Sequence, residues 1–422
     1  MLSTFRNAFK IPDLRKRILF TLLMVVVFRI GASIPVPGID REYIKQTVEN
    51  AGILSFYDLV SGGAFRNFTL FALGISPYIT ASIIVQLLTI AIPSLEELSK
   101  SGEEGRKKMI QYTRYGTIVL ALIQATGISV GLFRNALVSK DTLSIVTVVL
   151  TLTAGTAFLM WLGEQITQKG IGNGISILIF IGIISRLPGS TFRSYELFSK
   201  GQLNVIQIAI FALMALMVIV GVIAILQGVR KIPVQYAKRV VGRKMYGGQS
   251  THIPMKVNTA GVIPVIFAIS LMYFPQTIAF FVKGDFQAFL SKWFSTNGNP
   301  GIWIYIGVEA LLIIFFAYFY TSVTFNPFDV ADNMKNSGGF IPGIRPGKAT
   351  GEYLSRVLNR LTFVGSIFLA IIAVMPVLII KFGNIPFRFG GTSLLIIVGV
   401  ALETMKQIEA QMLMRHYQGF LK

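Results

Sequence analysis

The chain has 422 residues, 53% of them hydrophobic and only 14% charged, with a mean hydropathy of +0.66. A soluble surface needs about 25% charged residues, so this composition suits lipid, and it overrules the two or three soluble domains that length alone suggests. The lack of cysteine excludes disulfides, thiolate catalysis and Cys-ligated metals, and the net charge of +20 sits in loops between apolar runs, where it speaks of membrane topology before nucleic acid.

Arg15-Lys16-Arg17 precedes the apolar residues 18–28. The pattern mimics a secretory signal peptide, but Arg29 interrupts the run and no small-residue cleavage site follows, so it reads as an uncleaved first span. A span needs about 20 mainly apolar residues, fewer if buried among other helices. Candidates lie at 18–34, 70–91, 115–133, 145–162, 173–187, 204–227, 259–281, 302–325, 361–380 and 390–405. The fifth and tenth are short and open on Gly172 and Gly174, and on Gly390 and Gly391. Ten spans put both termini on one side. Counted by alternating side, 26 Lys and Arg fall with the termini and 12 fall opposite, which places the termini and loop 228–258 in the cytoplasm.

Five spans repeat as five. The first exits into Ile34-Pro35-Val36 and the sixth into Ile232-Pro233-Val234. The second opens with Gly74-Ile75-Ser76-Pro77 and the seventh with Gly261-Val262-Ile263-Pro264. Five is odd, so the halves 1–187 and 188–422 insert with opposite orientation, an arrangement that encloses a central site or path. Chance is the competing account of matches this short; their agreement in order is the argument against it. Between the first two spans, segment 53–66 is amphipathic, broken by Gly62 and Gly63, and too short to cross. It either re-enters the protein or lies on the outer surface, and physics alone leaves both open.

Ionisable residues are almost absent from the spans. Arg29 can snorkel outward. Glu309 lies about a third of the way into the eighth span, as a proton-relay carboxylate or, on the plainer reading, an interface residue. No acidic relay, paired Asp or Ser–His pair lies at depth, so the chain reads as a non-enzyme without cofactor or metal. Gly170, Gly172 and Gly174 lack the strand context of a nucleotide site and suit close helix packing. Thr80, Ser82, Gln86, Gln124 and Asn258 enter the spans, either as static packing or as contacts of an interface that must open.

Loop 228–258 holds Arg230, Lys231, Lys238, Arg239, Arg243, Lys244 and Lys256 and no acid. Anionic lipid would attract it, as would RNA or an acidic protein; its tyrosines and glycines suit a projecting hairpin. In loop 326–360, Pro342-Gly343-Ile344-Arg345-Pro346-Gly347 sets tight turns around Arg345, as in a docking tip.

Several long stretches resemble the SecY family of protein-translocation channels: FALGISPYITASIIVQLL (71–88), GEQITQKGIGNGISILIF (163–180), QSTHIPMKVNTAGVIPVIFA (249–268), NPFDVADNMKNSGGFIPGIRPG (326–347) and FGGTSLLI (389–396). The resemblance implies an all-α membrane protein with ten transmembrane helices in two inverted five-helix halves. It makes 53–66 a re-entrant plug helix, including Phe56, Tyr57, Leu59, Val60, Gly62, Gly63, Phe65 and Arg66. It implies a pore ring of Ile75, Ile79, Ile175, Ile179, Ile266 and Ile396, and a lateral gate with Ser82, Gln86 and Asn258 as polar members. It implies that Arg239, Arg243, Lys244 and Arg345 dock the ribosome and the motor ATPase SecA, with SecE and SecG as membrane partners. The activity implied is passage of unfolded secretory polypeptides and their signal peptides across a bacterial plasma membrane, with sideways release of membrane proteins into the lipid. A solute transporter with inverted repeats is the alternative.

Overall fold

The computed structural model describes residues 9–50, 58, 61–139, 141–201, 203–236, 239–241, 244–246, 250–279, 289, 293, 301–383 and 391–419. In chain order these form α1 (Pro12–Gly31), α2 (Arg41–Asn50), α3 (Ser76–Ala91), α4 (Pro93–Lys100) and α5 (Glu103–Thr126), which continues as a π-helical turn (Gly127–Leu132). Next come α6 (Thr142–Lys169), α7 (Gly174–Ile184), α8 (Leu187–Ser199) and α9 (Val205–Gln227), then four strands: β1 (Val229–Tyr236), β2 (Arg239–Val241), β3 (Lys244–Tyr246) and β4 (Ser250–Lys256). The chain ends with α10 (Ile263–Ala279), α11 (Gly301–Thr324), α12 (Pro327–Asn336), β5 (Gly339–Phe340), α13 (Lys348–Gly383) and α14 (Gly391–Gly419).

Among the described residues, five helical stretches are long and apolar enough to cross a membrane unaided: Glu103–Leu132, Thr142–Lys169, Val205–Gln227, Gly301–Asn336 and Lys348–Met375. The helices outrun the apolar runs that announce them. At 1.5 Å per residue, the 36 residues of α13 extend about 54 Å, well beyond a hydrocarbon core of about 30 Å. Residues 92–114, expected as a loop, are largely helical: the chain bends by 104° between α3 and α4 and turns back into α5. Pro93 causes the bend, because it holds Ile92 in an extended conformation (φ −116°, ψ 112°).

The chain divides into two compact units. The first comprises Met1–Val205, Ile269–Tyr305 and Val400–Lys422. In it α3 packs on α5, α5 on α6, and α6 on both α1 and α7. Arg114 of α5 donates from Nε to Glu164 Oε1 of α6 at 2.9 Å, a cross-helix ion pair. The α6–α7 contact is closed by glycines: a Cβ at Gly174 would collide with the Gly163 carbonyl, and one at Gly163 with Ile175 Cδ1. That is the packing role expected of this glycine series. Asn173 caps α7, its side chain accepting from Ser176 N at 3.2 Å. An apolar cluster including Ile44, Phe65, Phe68, Phe133, Leu137 and Leu152 completes the unit.

The second unit comprises Ile206–Ala268 and Ile306–Gly399. Its sheet has the order β4-β1-β5, antiparallel throughout, so the two basic loops share one sheet. Pro233 can sit in β1 because β5 pairs only with Gln235 and Tyr236, leaving the strand an edge at the proline. Ile232, Val234 and Met255 of the sheet pack with Ala331, Met334, Leu354 and Leu358 of α12 and α13. The expected hairpin thus stands on a small core of its own.

The Ile-Pro-Val tripeptides behave alike. Pro35 bridges antiparallel to Thr69, with Val36 N donating to Phe68 O at 3.0 Å and Leu70 N to Ile34 O at 2.9 Å. Pro233 pairs antiparallel with His252. Each time, the chain leaving one helix pairs with the chain approaching another.

Gly174→Ala should lower the thermal unfolding midpoint, because backbone opposes the new methyl; the cost is about 1–3 kcal/mol. Gly307→Ala, with nothing within 4 Å of the added carbon, should be neutral or slightly stabilising. Unfolding scans of the two purified variants check the contrast.

Candidate functional site

Ile75 and Ile79 lie one turn apart at the start of α3, where Ile79 N donates to Ile75 O at 3.1 Å. Both side chains are buried. Ile175 and Ile179 are likewise one turn apart on α7; Ile179 is buried, and Ile175 is half-buried with its Cδ1 against Gly163. These four belong to the first unit. Ile266 and Ile396 belong to the second, both buried, Ile266 on the first turn of α10 and Ile396 on the second turn of α14. A Cβ at Gly399 of α14 would strike Val262 at the entrance to α10, so Ile266 and Ile396 are each one turn from that contact.

In segment 53–66, Phe56, Tyr57, Leu59 and Val60 lie outside the described residues. Residues 53–55 lie outside them as well, and the described residues, 58 and 61–66, form a tight, self-bonded turn around Asp58. Its carbonyl accepts from Gly63 N (3.0 Å) and Ser61 Oγ (3.1 Å), and its Oδ1 accepts from Arg66 N (2.7 Å). Ser61 Oγ also accepts from Phe65 N at 3.1 Å. Phe65 is buried, with its ring 5.9 Å from that of Phe133, against which Phe68 packs edge-on at 5.5 Å. Gly62 adopts φ +69°, and a Cβ there would lie 2.7 Å from Gly182 Cα of α7. Gly63, at φ +90°, has open space beside it.

Asp58 was not singled out by sequence. It is 1% exposed, and its Oδ2 meets Arg186 Nη2 at 3.0 Å, just past the end of α7. Burial pushes its carboxyl above the usual range, against the lowering pull of Arg186 and the Arg66 N–H. The available signal was that Asp58 is the one acid in an otherwise apolar and small-residue stretch.

The polar residues proposed for the gate are locally bonded. Gln86 Nε2 donates to Ser82 Oγ at 3.2 Å, one turn earlier on α3. Asn258 is buried, and its Nδ2 donates to Gly261 O at 2.8 Å, fixing the turn into α10. Of the residues expected to dock partners, Arg239 lies on β2 opposite Tyr246, Lys244 lies on β3 opposite Val241, and Arg243 is outside the described residues. Arg345 is exposed. Its carbonyl accepts from the buried Thr350 Oγ1 at 2.8 Å, and Gly343 (φ +82°) and Gly347 (φ +93°) turn the chain on either side.

Glu309 departs from the plainer expectation. It is 2% exposed, on the same α11 face as the buried Ile302, Tyr305, Ile313 and Phe316, and its Oε2 has no hydrogen-bond partner. It faces the protein interior, not the interface. Sequence depth placed it correctly along the helix but could not give its rotation.

The profile of the SecY family matches residues 69–405. The protein translocase subunit SecY of Halalkalibacterium halodurans is 53% identical over 433 residues, and that of Bacillus subtilis 49% over 435, each covering 100% of both chains. A solved protein conducting channel superposes with a TM-score of 0.70 at 21% identity, covering 94% of this chain and 92% of that one. Sec61 in a canine ribosome-channel complex from the endoplasmic reticulum gives 0.65 at 20% identity. The long motifs, the mostly helical membrane fold and the full-length identity agree: the chain belongs to the SecY family.

Proposed function

We infer that this multi-pass membrane protein is the conducting subunit of a protein-translocation channel, passing unfolded secretory polypeptides across the membrane. The observation that carries the reading is the identity of 53% to a protein translocase subunit over the whole of both chains. The same likeness disfavours the solute-transporter alternative. The reading assigns the chain no catalytic step; energy would come from a partner. Movement of a secretory preprotein into protease-protected vesicle lumen, by the chain reconstituted with SecE and energised SecA, is the direct test. Full protease sensitivity in every preparation would sink the reading.

The finer parts rest on family membership together with local geometry. The proposed architecture is ten spans in inverted halves, 1–187 and 188–422, in a bacterial plasma membrane with both termini cytoplasmic. The paired behaviour of the two Ile-Pro-Val segments supports the repeat. Sideways release of membrane proteins would use a gate that includes Ser82, Gln86 and Asn258. SecE, SecG, SecA and the ribosome are the proposed partners; that relatives of this fold were solved on ribosomes supports the last.

Arg345 is the best candidate docking contact, because its turn is held by Thr350 and two positive-φ glycines while its side chain is free to reach outward. Arg345→Glu should cut SecA-driven export by roughly 30-fold or more, the effect of losing an arginine worth at least about 2 kcal/mol at an interface. Membrane insertion and copurification with SecE should be unchanged. Export assays in inverted vesicles, normalised to inserted protein, check this.

A ring of isoleucines suits a channel that must pass varied chains yet hold back ions, since a narrow apolar constriction closes by dewetting and a β-branched side chain fills space with few rotamers. Ile79→Gly with Ile179→Gly should insert normally and leak ions in planar bilayers. Ile367→Gly, on α13 and outside the ring, loses one isoleucine side chain where each ring position loses one, and should not leak. Equal conductance in the ring variant and the control would return these residues to ordinary packing.

A further inference from the structure

The segment read as a plug is held to the fifth-span helix by two contacts one helical turn apart. At Gly182 the backbone of α7 touches Gly62, closely enough that a Cβ at Gly62 would lie 2.7 Å from Gly182 Cα and 2.9 Å from its carbonyl oxygen. Four residues further on, past the end of the helix, Arg186 reaches Asp58 at 3.0 Å. The two contacts therefore lie at the last turn of α7 and just beyond its C-terminus. The two contacts differ in kind. Glycine against glycine is a steric fit that works only at one position along the helix. The ion pair is directional, and Asp58 sits at 1% exposure. Its carboxylate also accepts from Arg66 N, and its backbone carbonyl accepts from Gly63 N and Ser61 Oγ, so Asp58 organises the turn and ties it to the end of α7 at once.

A buried ion pair adds little net stability, because desolvation offsets much of the attraction, whereas breaking one partner is strongly destabilising. That asymmetry suits a contact that must be held firmly and then released as a unit.

We propose that Asp58 and Arg186, with the Gly62–Gly182 contact, form a latch that holds the plug against α7 in the non-conducting state. The latch deepens the plug reading and rests on it. It predicts that removing the charge of either partner shifts the plug toward its released position without removing the turn itself. Asp58→Asn is the informative change, since the amide oxygen can still accept from Arg66 N while the charge is gone.

The test is basal ion conductance of the full chain, reconstituted with SecE in planar bilayers and normalised to inserted protein. Asp58→Asn and Arg186→Gln should each raise conductance roughly tenfold, as expected if the closed population is displaced by one order of magnitude. The double variant should match a single one, because the same interaction is lost only once. Arg186→Lys should recover part of the closure. Gly62→Ala, which leaves both charges in place but adds a carbon against the α7 backbone, should leak independently. Glu196→Gln, an exposed carboxylate on α8, is the charge-loss control and should behave as wild type. Deletion of 56–65 separates the two readings. If the deletion leaks while Asp58→Asn and Arg186→Gln conduct as wild type, the latch is overturned and the plug stands. If the deletion inserts and does not leak, both fail. A lowered unfolding temperature with wild-type conductance in the two charge variants would also overturn the latch, leaving the pair a purely structural contact. If either charge variant fails to insert, Gly62→Ala and Arg186→Lys decide: wild-type conductance in both overturns the latch.

Discussion

A backbone amide or carbonyl placed in hydrocarbon without a partner costs several kcal/mol. Helices meet that demand within one segment, which is why long apolar helices dominate this chain. Where the chain is not helical it must satisfy itself by other means. Asp58 and residues 61–74 do so turn by turn. Gly63 N donates to Asp58 O, Thr69 N to Ala64 O, Ala72 N to Thr69 O and Gly74 N to Phe71 O, while Arg66 N and Phe65 N are taken by side chains of Asp58 and Ser61. A short, glycine-broken stretch can lie beside membrane helices only because it carries its own acceptors.

The same demand governs the side chains. Thr80, Thr117, Thr153, Thr156 and Thr321 each donate to the carbonyl four residues earlier on their own helix. Ser82 and Gln86 bond each other along one helix. Polar groups satisfied within a helix leave association between helices to packing, and glycines allow the close approaches: Gly174 to the Gly163 carbonyl, Gly155 to the Leu70 carbonyl, Gly221 to the Phe368 ring. The Arg114–Glu164 pair is a cross-helix exception. Contacts of this kind can slide or part without stranding a donor, a useful property for a protein whose activity demands that it open.

The fold was legible wherever hydropathy carries the signal, and less so where periodicity does. Residues 348–360 carry Lys348, Glu352, Arg356 and Arg360 and read as the end of a loop. Yet Leu354, Val357, Leu358 and Leu361 recur at helical spacing, and that stripe is what packs under the β-sheet. Hydropathy averaged over a span-length window hides a half-polar helix. The glycine series of α7 and the projecting hairpin were both readable, since each rests on local chemistry. The Asp58–Arg186 pair was not, because its members are far apart in the chain and one of them sits in a segment too short and mixed to place. Glu309 could be placed in depth but not in rotation, since each residue of error turns a helix face by about 100°.

Two kinds of force hold the described part of the segment read as a plug, and they divide the work. Phe65 and Phe68 pack with Phe133 into an apolar cluster. Burial of a side chain that size from water stabilises by about 1.5–3 kcal/mol, and it depends little on orientation. Such packing anchors the C-terminal end of the segment but cannot set a single position for the rest. The ion pair and the glycine contact have the opposite character: little net energy, strict geometry. In the proposed latch, an anchored end with a geometrically exacting, energetically balanced contact further along would act as a hinge and a catch. Reversible closure needs both. A plug held by apolar burial alone would resist release by its whole buried area. One held by the ion pair alone would be lost when the pair opened. With the aromatic end fixed, the proposed catch would open and find its register again after each passage.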